Sequence, residues 1–214
     1  QHDLKRLLAY HSIENIGIIL MGFGLALLGR ALDKPVWTLL GMAGCLLHVW
    51  NHALFKSLLF WSAGAAIQAS GTRQIDRMGG AARGMPWTAA CFLAGAVAIC
   101  GLPPLNGFVS EWLVYLGLVQ TVTDRAAPAA AVAAAFGVPV LALIGALALA
   151  CFVKVYGAVF LGLPRFPEHE ARREAPWTMR LPMLVLAAAC AVIGLLPGTM
   201  APLLEQAADA ACGV

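Results

Sequence analysis

Residues 45–62 read Cys-Leu-Leu-His-Val-Trp-Asn-His-Ala-Leu-Phe-Lys-Ser-Leu-Leu-Phe-Trp-Ser, an apolar segment with three ionisable side chains. His48, His52 and Lys56 follow one another at steps of four residues. Four residues return an α-helix to nearly the same face about 6 Å further along its axis. The spacing therefore predicts a polar stripe about 12 Å long on an otherwise apolar helix. Because ionisable groups are costly in such a segment, they usually mark a proton or ion path, a ligand site or a helix pair.

The composition of the chain indicates a membrane protein. Of its 214 residues, 61% are hydrophobic and only 12% are charged, whereas about 25% of the residues in soluble domains are charged. Uncharged runs of about 18 residues or more are typical of transmembrane helices. The sequence therefore predicts an all-α polytopic membrane protein. Runs without Asp, Glu, Lys or Arg cover residues 36–55, 57–72, 84–110, 126–153 and 181–204.

Several function classes receive no support from the composition. The net charge is +3, and no basic cluster is interleaved with aromatic residues as in a nucleic-acid-binding face. The six cysteines form no Cys-x-x-Cys pair, so we predict that they are small buried apolar side chains. The sequence also lacks a dinucleotide-binding glycine motif and the cysteine spacing of an iron–sulfur cluster. We therefore expect no nucleic acid partner and no bound cofactor.

About six transmembrane helices are predicted, and one is broken. Pro103 and Pro104 cannot continue a helix, and Gly101 and Gly107 bracket them. Residues 164–214 are predicted to contain a charged loop, the last helix and a C-terminal tail. The predicted helices cover residues of about 4–29, 36–70, 86–101, 107–121, 132–163 and 181–196.

The loops give no orientation in the membrane. The basic loops 71–84 and 164–180 are predicted to face opposite sides, so the positive-inside rule does not distinguish the two sides. The apolar segment 36–70 is longer than one perpendicular crossing requires. It is expected to tilt, to extend beyond the bilayer or to begin irregularly near Gly41 and Gly44.

Four further ionisable residues are candidates for a proton path or a polar network. His11 and Glu14 are one helical turn apart, and they belong either to the membrane interface or to a buried network. Glu111 is either a favourable helix-start residue or a carboxylate that lines a hydrated cavity at the broken helix. Lys154 lies near the end of its helix, so we expect its ammonium group to reach the interface.

One interpretation of the stripe is a proton relay. Histidine accepts and releases protons near neutral pH, and a lysine removed from water gives up its proton more easily. An approaching carboxylate reverses that effect on the lysine, so Lys56 and Glu111 are the expected pair. Asn51 and Ser57 would hold water molecules between the titrating groups.

Two other interpretations remain open from the residues alone. Cys45, His48 and His52 share one predicted helix face, and a thiolate with two imidazoles suits zinc or copper. His11 would then supply a fourth ligand. Alternatively, the polar groups only pair helices with one another in a structural bundle.

Three segments also resemble a known family. Residues 3–17 read Asp-Leu-Lys-Arg-Leu-Leu-Ala-Tyr-His-Ser-Ile-Glu-Asn-Ile-Gly, residues 48–60 read His-x-x-x-His-Ala-Leu-Phe-Lys-Ser-Leu-Leu-Phe, and residues 101–112 read Gly-Leu-Pro-Pro-Leu-Asn-Gly-Phe-Val-Ser-Glu-Trp. In this order they resemble the antiporter-like, proton-translocating membrane subunits of complex I, cation/proton antiporters and energy-converting hydrogenases. The first segment is most similar to the hydrogenase 4 component B and formate hydrogenlyase branch.

The resemblance implies roles for the stripe. Residues 1–163 would form the second inverted repeat of a larger helix core, so the chain would be the C-terminal half of a longer protein. By position, Lys56 would be the central lysine of a proton path. His48 and His52 would lie along the same hydrophilic axis, and Glu111 would lead to the exit side.

The resemblance also implies a setting for the chain. It would be a subunit of an oxidoreductase complex, without a redox centre of its own, in a bacterial or archaeal cytoplasmic membrane. Its partners would be the lipid bilayer, other membrane subunits and a peripheral redox arm, and the transported ion would be H⁺. A subunit of a multisubunit Na⁺/H⁺ antiporter is the alternative within the same family.

Overall fold

All regular secondary structure in the described residues is helical. The computed structural model describes residues 1–163, 165 and 173–212, and outside the helices it pairs only Asp3 with Gln74 in an isolated bridge. The predicted all-α class is confirmed. The helices are α1 (Leu4–Ala31), α2 (Pro35–Ser70), α3 (Ala81–Gly84), α4 (Pro86–Ile99), α5 (Asn106–Thr123), α6 (Pro128–Val159), α7 (Trp177–Leu195) and α8 (Ala201–Cys212), with 3₁₀ turns at Ile75–Arg77 and Pro197–Met200.

Four of these helices, α1, α2, α6 and α7, are long and apolar enough to cross a membrane. α2 is continuous over 36 residues, a length of about 54 Å. It therefore does not begin irregularly near Gly41 and Gly44. Because the hydrocarbon core of a bilayer is about 30 Å thick, α2 either tilts or extends beyond it.

α4 and α5 are the halves of one broken crossing. α4 has 14 residues, about 21 Å, and is too short to cross alone. It begins beside the segment before α7, where Glu174 accepts a hydrogen bond from the backbone N–H of Trp87. α5 ends at the other side of the bundle, where Asp124 pairs with Lys34 of the α1–α2 turn at 2.6 Å. Two of the six predicted helices therefore form a single crossing.

The predicted placement of the basic loops 71–84 and 164–180 on opposite sides is wrong for their described residues. Between Gly80 and Leu161, a backbone N–H···O hydrogen bond of 2.9 Å joins the loop before α4 to the end of α6. Arg165 donates to the carbonyl oxygen of Asp76 at 2.5 Å. The prediction from the sequence counted α4 and α5 as two separate crossings. Because they form one crossing, every later loop lies on the opposite side of the membrane from the one predicted.

Basic residues are therefore concentrated at one end of the bundle, which we call the basic end. The opposite end holds Arg30, Lys34 and Arg125. Residues 164 and 166–172 of the predicted charged loop, His169 among them, and the last two residues of the tail lie outside the described residues. The described Lys and Arg residues of the basic end are Lys5, Arg6, Arg73, Arg77, Arg83, Arg165, Arg173 and Arg180.

α2 is the central helix and packs against α1, α4, α5 and α7. It approaches α1 closely because glycines face each other. A Cβ atom on Gly41 would lie only 2.6 Å from the carbonyl oxygen of Gly22. Small residues permit such backbone contact between helices in membranes. This packing brings the polar stripe of α2 against the polar residues of α1.

Glu174 stabilises the start of α4. Its carboxylate accepts hydrogen bonds from Trp87 N at 2.7 Å and from Thr88 Oγ1 at 2.5 Å. We expect Glu174→Ala to lower the free energy of unfolding by about 1–3 kcal/mol, because hydrogen bonds to a charged group are lost. Thermal unfolding of the full-length subunit in detergent measures this effect. The control is Glu205→Ala at an exposed position of α8, and equal melting temperatures for the two variants would contradict the capping role.

Candidate functional site

The stripe of α2 lies inside the bundle. His48 is fully buried and Lys56 is 6% exposed, while His52 is half-buried. The ring of Phe55 packs edge-on against both imidazoles, with centroid distances of 6.2 Å to His48 and 5.6 Å to His52. Ser57, which was expected to hold water beside the stripe, is exposed on another face of the helix.

His48 joins three helices through both of its ring nitrogens. Nδ1 lies 2.9 Å from Oγ of Ser110 on α5, and Nε2 lies 3.1 Å from Oδ1 of Asn15 on α1. Both partners are fully buried. The imidazole is therefore fixed in position by neutral hydrogen-bonding groups rather than by a counter-ion.

Asn51 connects the stripe to the broken helix. Its Nδ2 atom donates to the backbone carbonyl of Asn106 at 2.8 Å and to Oγ of Ser110 at 3.1 Å. Nδ2 of Asn106 donates in return to Oδ1 of Asn51 at 3.1 Å. Because Asn106 is the first residue of α5, this pair holds the helix immediately after the interruption against α2.

The ammonium group of Lys56 donates a hydrogen bond to the backbone carbonyl of Leu8 on α1. It also lies 5.4 Å from the ring centroid of Phe60. Glu14 on α1 is an acidic side chain that interacts electrostatically with Lys56, and the expected pairing of Lys56 with Glu111 stays a prediction. One helical turn away, Nε2 of His52 is buried without a hydrogen-bond partner among the described residues.

Glu14 contacts His11 and lies close enough to Lys56 and Glu111 to influence both electrostatically. Its carboxylate lies 2.5 Å from Nδ1 of His11. His11 is 9% exposed, and its Nε2 atom lies 3.2 Å from Sγ of Cys151 on α6. Of the two interpretations that the sequence left open, the structure thus favours a buried network for His11.

Two cavities adjoin this network. One, of about 310 Å³, reaches His11 from the basic end and is lined by Tyr10, Cys151 and Lys154. The other, of about 340 Å³, lies between α5 and α6 and is lined by Glu111, Tyr115 and other residues. Lys154 is exposed, and its reach to the membrane interface stays a prediction. Glu111, by contrast, is 8% exposed and lines the cavity between α5 and α6.

The donor set does not fit the metal site considered from the sequence. Both nitrogens of His48 are engaged by Ser110 and Asn15, which leaves no free lone pair for a metal ion. Among the described residues, no group of three or more His, Cys, Asp or Glu side chains is arranged to hold a metal. Cys45, His48 and His52 are therefore not brought together as ligands.

Sequence reasoning named Asn51 but missed two other neutral members of the site, Asn15 and Ser110. Asn15 directly follows Glu14, and Ser110 directly precedes Glu111. Both glutamates were candidates from the sequence, but their neutral neighbours were not. One signal was available for Asn15: it lies four residues after His11, on the same helix face. No sequence signal pointed to Cys151, whose contact with His11 depends on how α6 packs.

The sequence of the chain is similar to a known family and to known proteins. Residues 1–137 match the family described as NADH:quinone oxidoreductase/Mrp antiporter, TM. The chain is 45% identical over 210 residues to hydrogenase-4 component B of Escherichia coli (strain K12), a match that covers 98% of this chain and 31% of that protein. It is 42% identical over 207 residues to formate hydrogenlyase subunit 3 of the same strain, with 97% and 34% covered.

A solved structure has the same fold. The match to a chain of the Mrp complex from Dietzia sp. DQ12-45-1b has a TM-score of 0.76 and 21% sequence identity, and it covers 98% of this chain and 43% of that chain. At this identity the likeness concerns the fold alone. The chain spans about a third of the length of the curated relatives it matches. Because the family match covers most of the chain and coincides with the helices that carry the polar site, the chain belongs to the NADH:quinone oxidoreductase/Mrp antiporter transmembrane family.

Proposed function

We propose that this chain carries part of a proton path through the membrane, as one membrane subunit of a multisubunit oxidoreductase complex. The observation that carries the proposal is the burial of Lys56 and His48 on one face of an apolar helix, where neither forms an ion pair with another described residue. Groups that titrate reversibly in such a setting are typical of proton relays. The similarity to proteins named as parts of hydrogenase 4 and formate hydrogenlyase supports the same role.

The proposed path runs through Glu14. His11 lies between Glu14 and the cavity at the basic end, so it is the group that exchanges protons with that cavity. Glu14 then acts on Lys56 at the centre and on Glu111 beside the second cavity. A proton that arrives at Glu14 changes its charge, and this changes the proton affinity of both neighbours.

Water molecules complete this path. Among the described residues, no direct hydrogen bond joins His48, His52 and Lys56 to one another. The unpartnered Nε2 atom of His52 is a polar group that one buried water would satisfy. Protons would therefore pass between the ionisable groups through intervening water.

The chain supplies only one part of such a complex. Residues 1–163 would form the second inverted repeat of the whole subunit, and the preceding repeat would supply the remainder of the path. Electron transfer would take place in partner subunits of a peripheral redox arm. The chain's own residues would respond through the electrostatic coupling described above, in the cytoplasmic membrane of a bacterium or archaeon.

Sodium/proton exchange is the second candidate function. The matched family includes Mrp antiporters by its description, and a carboxylate such as Glu111 can coordinate Na⁺ as well as bind a proton. The network of His48, Asn15 and Ser110 favours protons, because an imidazole exchanges H⁺ but is a poor ligand for an alkali cation.

Reconstitution of the whole complex tests the proposed function. The full-length subunit is tagged, its co-purifying subunits are identified, and the complex is placed in liposomes with a pH-sensitive dye. Turnover is started with the donor that those subunits oxidise: formate, hydrogen or NADH. We expect a pH gradient in sodium-free buffer that a protonophore abolishes. A strict requirement for Na⁺, with ²²Na⁺ movement in place of the pH gradient, would establish the second candidate instead.

The concentration of arginines predicts the orientation of the subunit. By the positive-inside rule, the basic end faces the cytoplasm. We expect a cysteine at Arg83 to react with a membrane-impermeant maleimide only in inside-out vesicles. A cysteine at Arg125, on the opposite end, is expected to react only in right-side-out vesicles. Both arginines are exposed, so the maleimide can reach each position through the aqueous phase. The reverse labelling pattern would contradict this orientation.

A further inference from the structure

We propose that Asn15 and Ser110 are positioning residues that fix the tautomer of His48 and allow its ring to gain a proton by rotation of one hydroxyl group. The functional part of this inference rests on the proposed proton path, whereas the tautomer follows from hydrogen-bond geometry alone. Neither Asn15 nor Ser110 is ionisable in this setting. Their role is to determine which ring nitrogen exchanges the proton.

Asn15 determines the state of Nε2. Its Nδ2 atom lies 2.8 Å from the backbone carbonyl of His11, and a carbonyl oxygen can only accept a hydrogen bond. The NH₂ group of the amide therefore faces His11, and Oδ1 faces Nε2 of His48 at 3.1 Å. Because Oδ1 is also only an acceptor, Nε2 of His48 must carry a hydrogen atom. The neutral imidazole is thus the Nε2–H tautomer, with its lone pair on Nδ1.

Ser110 completes the arrangement at Nδ1. Its Oγ atom accepts a hydrogen bond from Nδ2 of Asn51, whose orientation is fixed because the same nitrogen donates to the carbonyl of Asn106. Oγ then has one hydrogen atom and one lone pair left. Two groups remain for them: Nδ1 of His48 at 2.9 Å and the backbone carbonyl of Gly107 at 3.1 Å.

These two remaining contacts correspond to the two charge states of His48. When the ring is neutral, the hydroxyl of Ser110 donates to Nδ1. When the ring is protonated, Nδ1–H donates to Oγ, and the hydroxyl turns to the carbonyl of Gly107. One proton is added to Nδ1 and none is released, and no atom other than hydrogen has to move. The ring N–H groups of His48 and the hydroxyl of Ser110 each have an acceptor in both states, which lowers the cost of a buried charge.

The geometry also determines which ring nitrogen of His48 exchanges protons. Nε2 donates to the amide oxygen of Asn15, which does not relay protons readily. His48 therefore exchanges protons at Nδ1, on the side of the Ser110 hydroxyl. Among the described ionisable groups, His52 on the same helix acts electrostatically on His48. The other neighbours of the ring, Phe55 on α2, Asn15 on α1 and Ser110 on α5, carry no charge.

Solid-state ¹⁵N NMR tests the tautomer directly. The full-length subunit is labelled with ¹⁵N-histidine and placed in lipid bilayers, and the His48 signals are identified by their loss in His48→Gln. We expect neutral His48 to carry its hydrogen on Nε2. In Asn15→Ala we expect the Nδ1–H form to be populated as well. A neutral Nδ1–H tautomer in the unmodified protein would overturn the inference.

Proton translocation by the reconstituted complex tests the role of Ser110. We expect Ser110→Ala to lower the number of protons moved per electron pair by about tenfold or more, and Ser110→Thr to retain most of it because the hydroxyl is kept. Ser62→Ala is the matched control, since Ser62 is equally buried but donates to its own helix at Leu58. Unchanged translocation in Ser110→Ala, while Lys56→Ala is inactive, would overturn this inference and leave the proposed function intact. Unchanged translocation in Lys56→Ala would refute the proposed function, with the tautomer measurement unaffected.

Discussion

Replacing Lys56 with alanine is expected to reduce proton translocation by about 100-fold or more. Of the lysines in the described residues, Lys56 is the buried one. Its ammonium group donates a hydrogen bond to a backbone carbonyl oxygen rather than to a carboxylate. It is therefore free to change its charge without first breaking an ion pair. Alanine offers no group that binds a proton at this depth. The measurement is the number of protons moved per electron pair in liposomes that contain the whole complex.

The control for this prediction is Lys5→Ala. Lys5 lies exposed in the first turn of α1 at the basic end, so its loss removes the same charge without touching the network. We expect this variant to translocate protons as the unmodified complex does. Both variants must assemble to the same level in the membrane. Normal translocation by a fully assembled Lys56→Ala complex would show that the relay does not pass through this lysine.

Gly107→Ala is expected to prevent stable assembly of the subunit. A Cβ atom on Gly107 would overlap the backbone carbonyl oxygen of Ala98, and it would lie 3.0 Å from the carbonyl carbon. Both obstacles are backbone atoms of α4, so no side chain can move aside. Relief requires the two halves of the broken crossing to separate, which would also break the contacts of Asn106 with Asn51. We expect a loss of about 3 kcal/mol or more in the free energy of unfolding.

Gly145→Ala is the matched control on α6. A Cβ atom there would meet nothing within 4 Å, and alanine is favoured over glycine inside a helix by about 1 kcal/mol. We expect this variant to be at least as stable as the unmodified subunit. The amount of each variant in isolated membranes and its melting temperature in detergent measure the effect. If Gly107→Ala accumulated and melted like Gly145→Ala, the close contact between α4 and α5 would be refuted.

The helices were predictable because long apolar runs indicate membrane spans, and because a step of four residues places His48, His52 and Lys56 on one face of any α-helix. The break at Pro103–Pro104 was also predictable from local sequence, since proline cannot continue a helix. Its consequence for topology was not, because two prolines do not say whether the chain turns back or continues across the membrane. That distinction depends on contacts such as the one between Asp124 and Lys34, which are distant in sequence.

The candidate site was only partly predictable. The charged residues were visible because a charge is rare inside an apolar helix. Asn15 and Ser110 were not, since neutral polar residues are common in membrane helices and their partners depend on how each helix is rotated. The same limit applies to Glu14. Its link to Lys56 arises because α1 packs closely on α2 through Gly22 and Gly41, a contact between two helices that no single-helix pattern contains.

In the proposed proton path, Glu14 couples the groups of α1, α2 and α5 into one proton-binding network, and a double-mutant cycle tests this coupling. Proton translocation per electron pair is measured for Glu14→Gln, for Glu111→Gln and for the double variant in the same reconstituted complex. Residues that act in one network are not additive. If Glu14 and Glu111 act in one network, we expect the double variant to translocate as many protons per electron pair as the worse of the two single variants. Losses that multiply in the double variant would show that Glu14 and Glu111 act independently and would contradict the account.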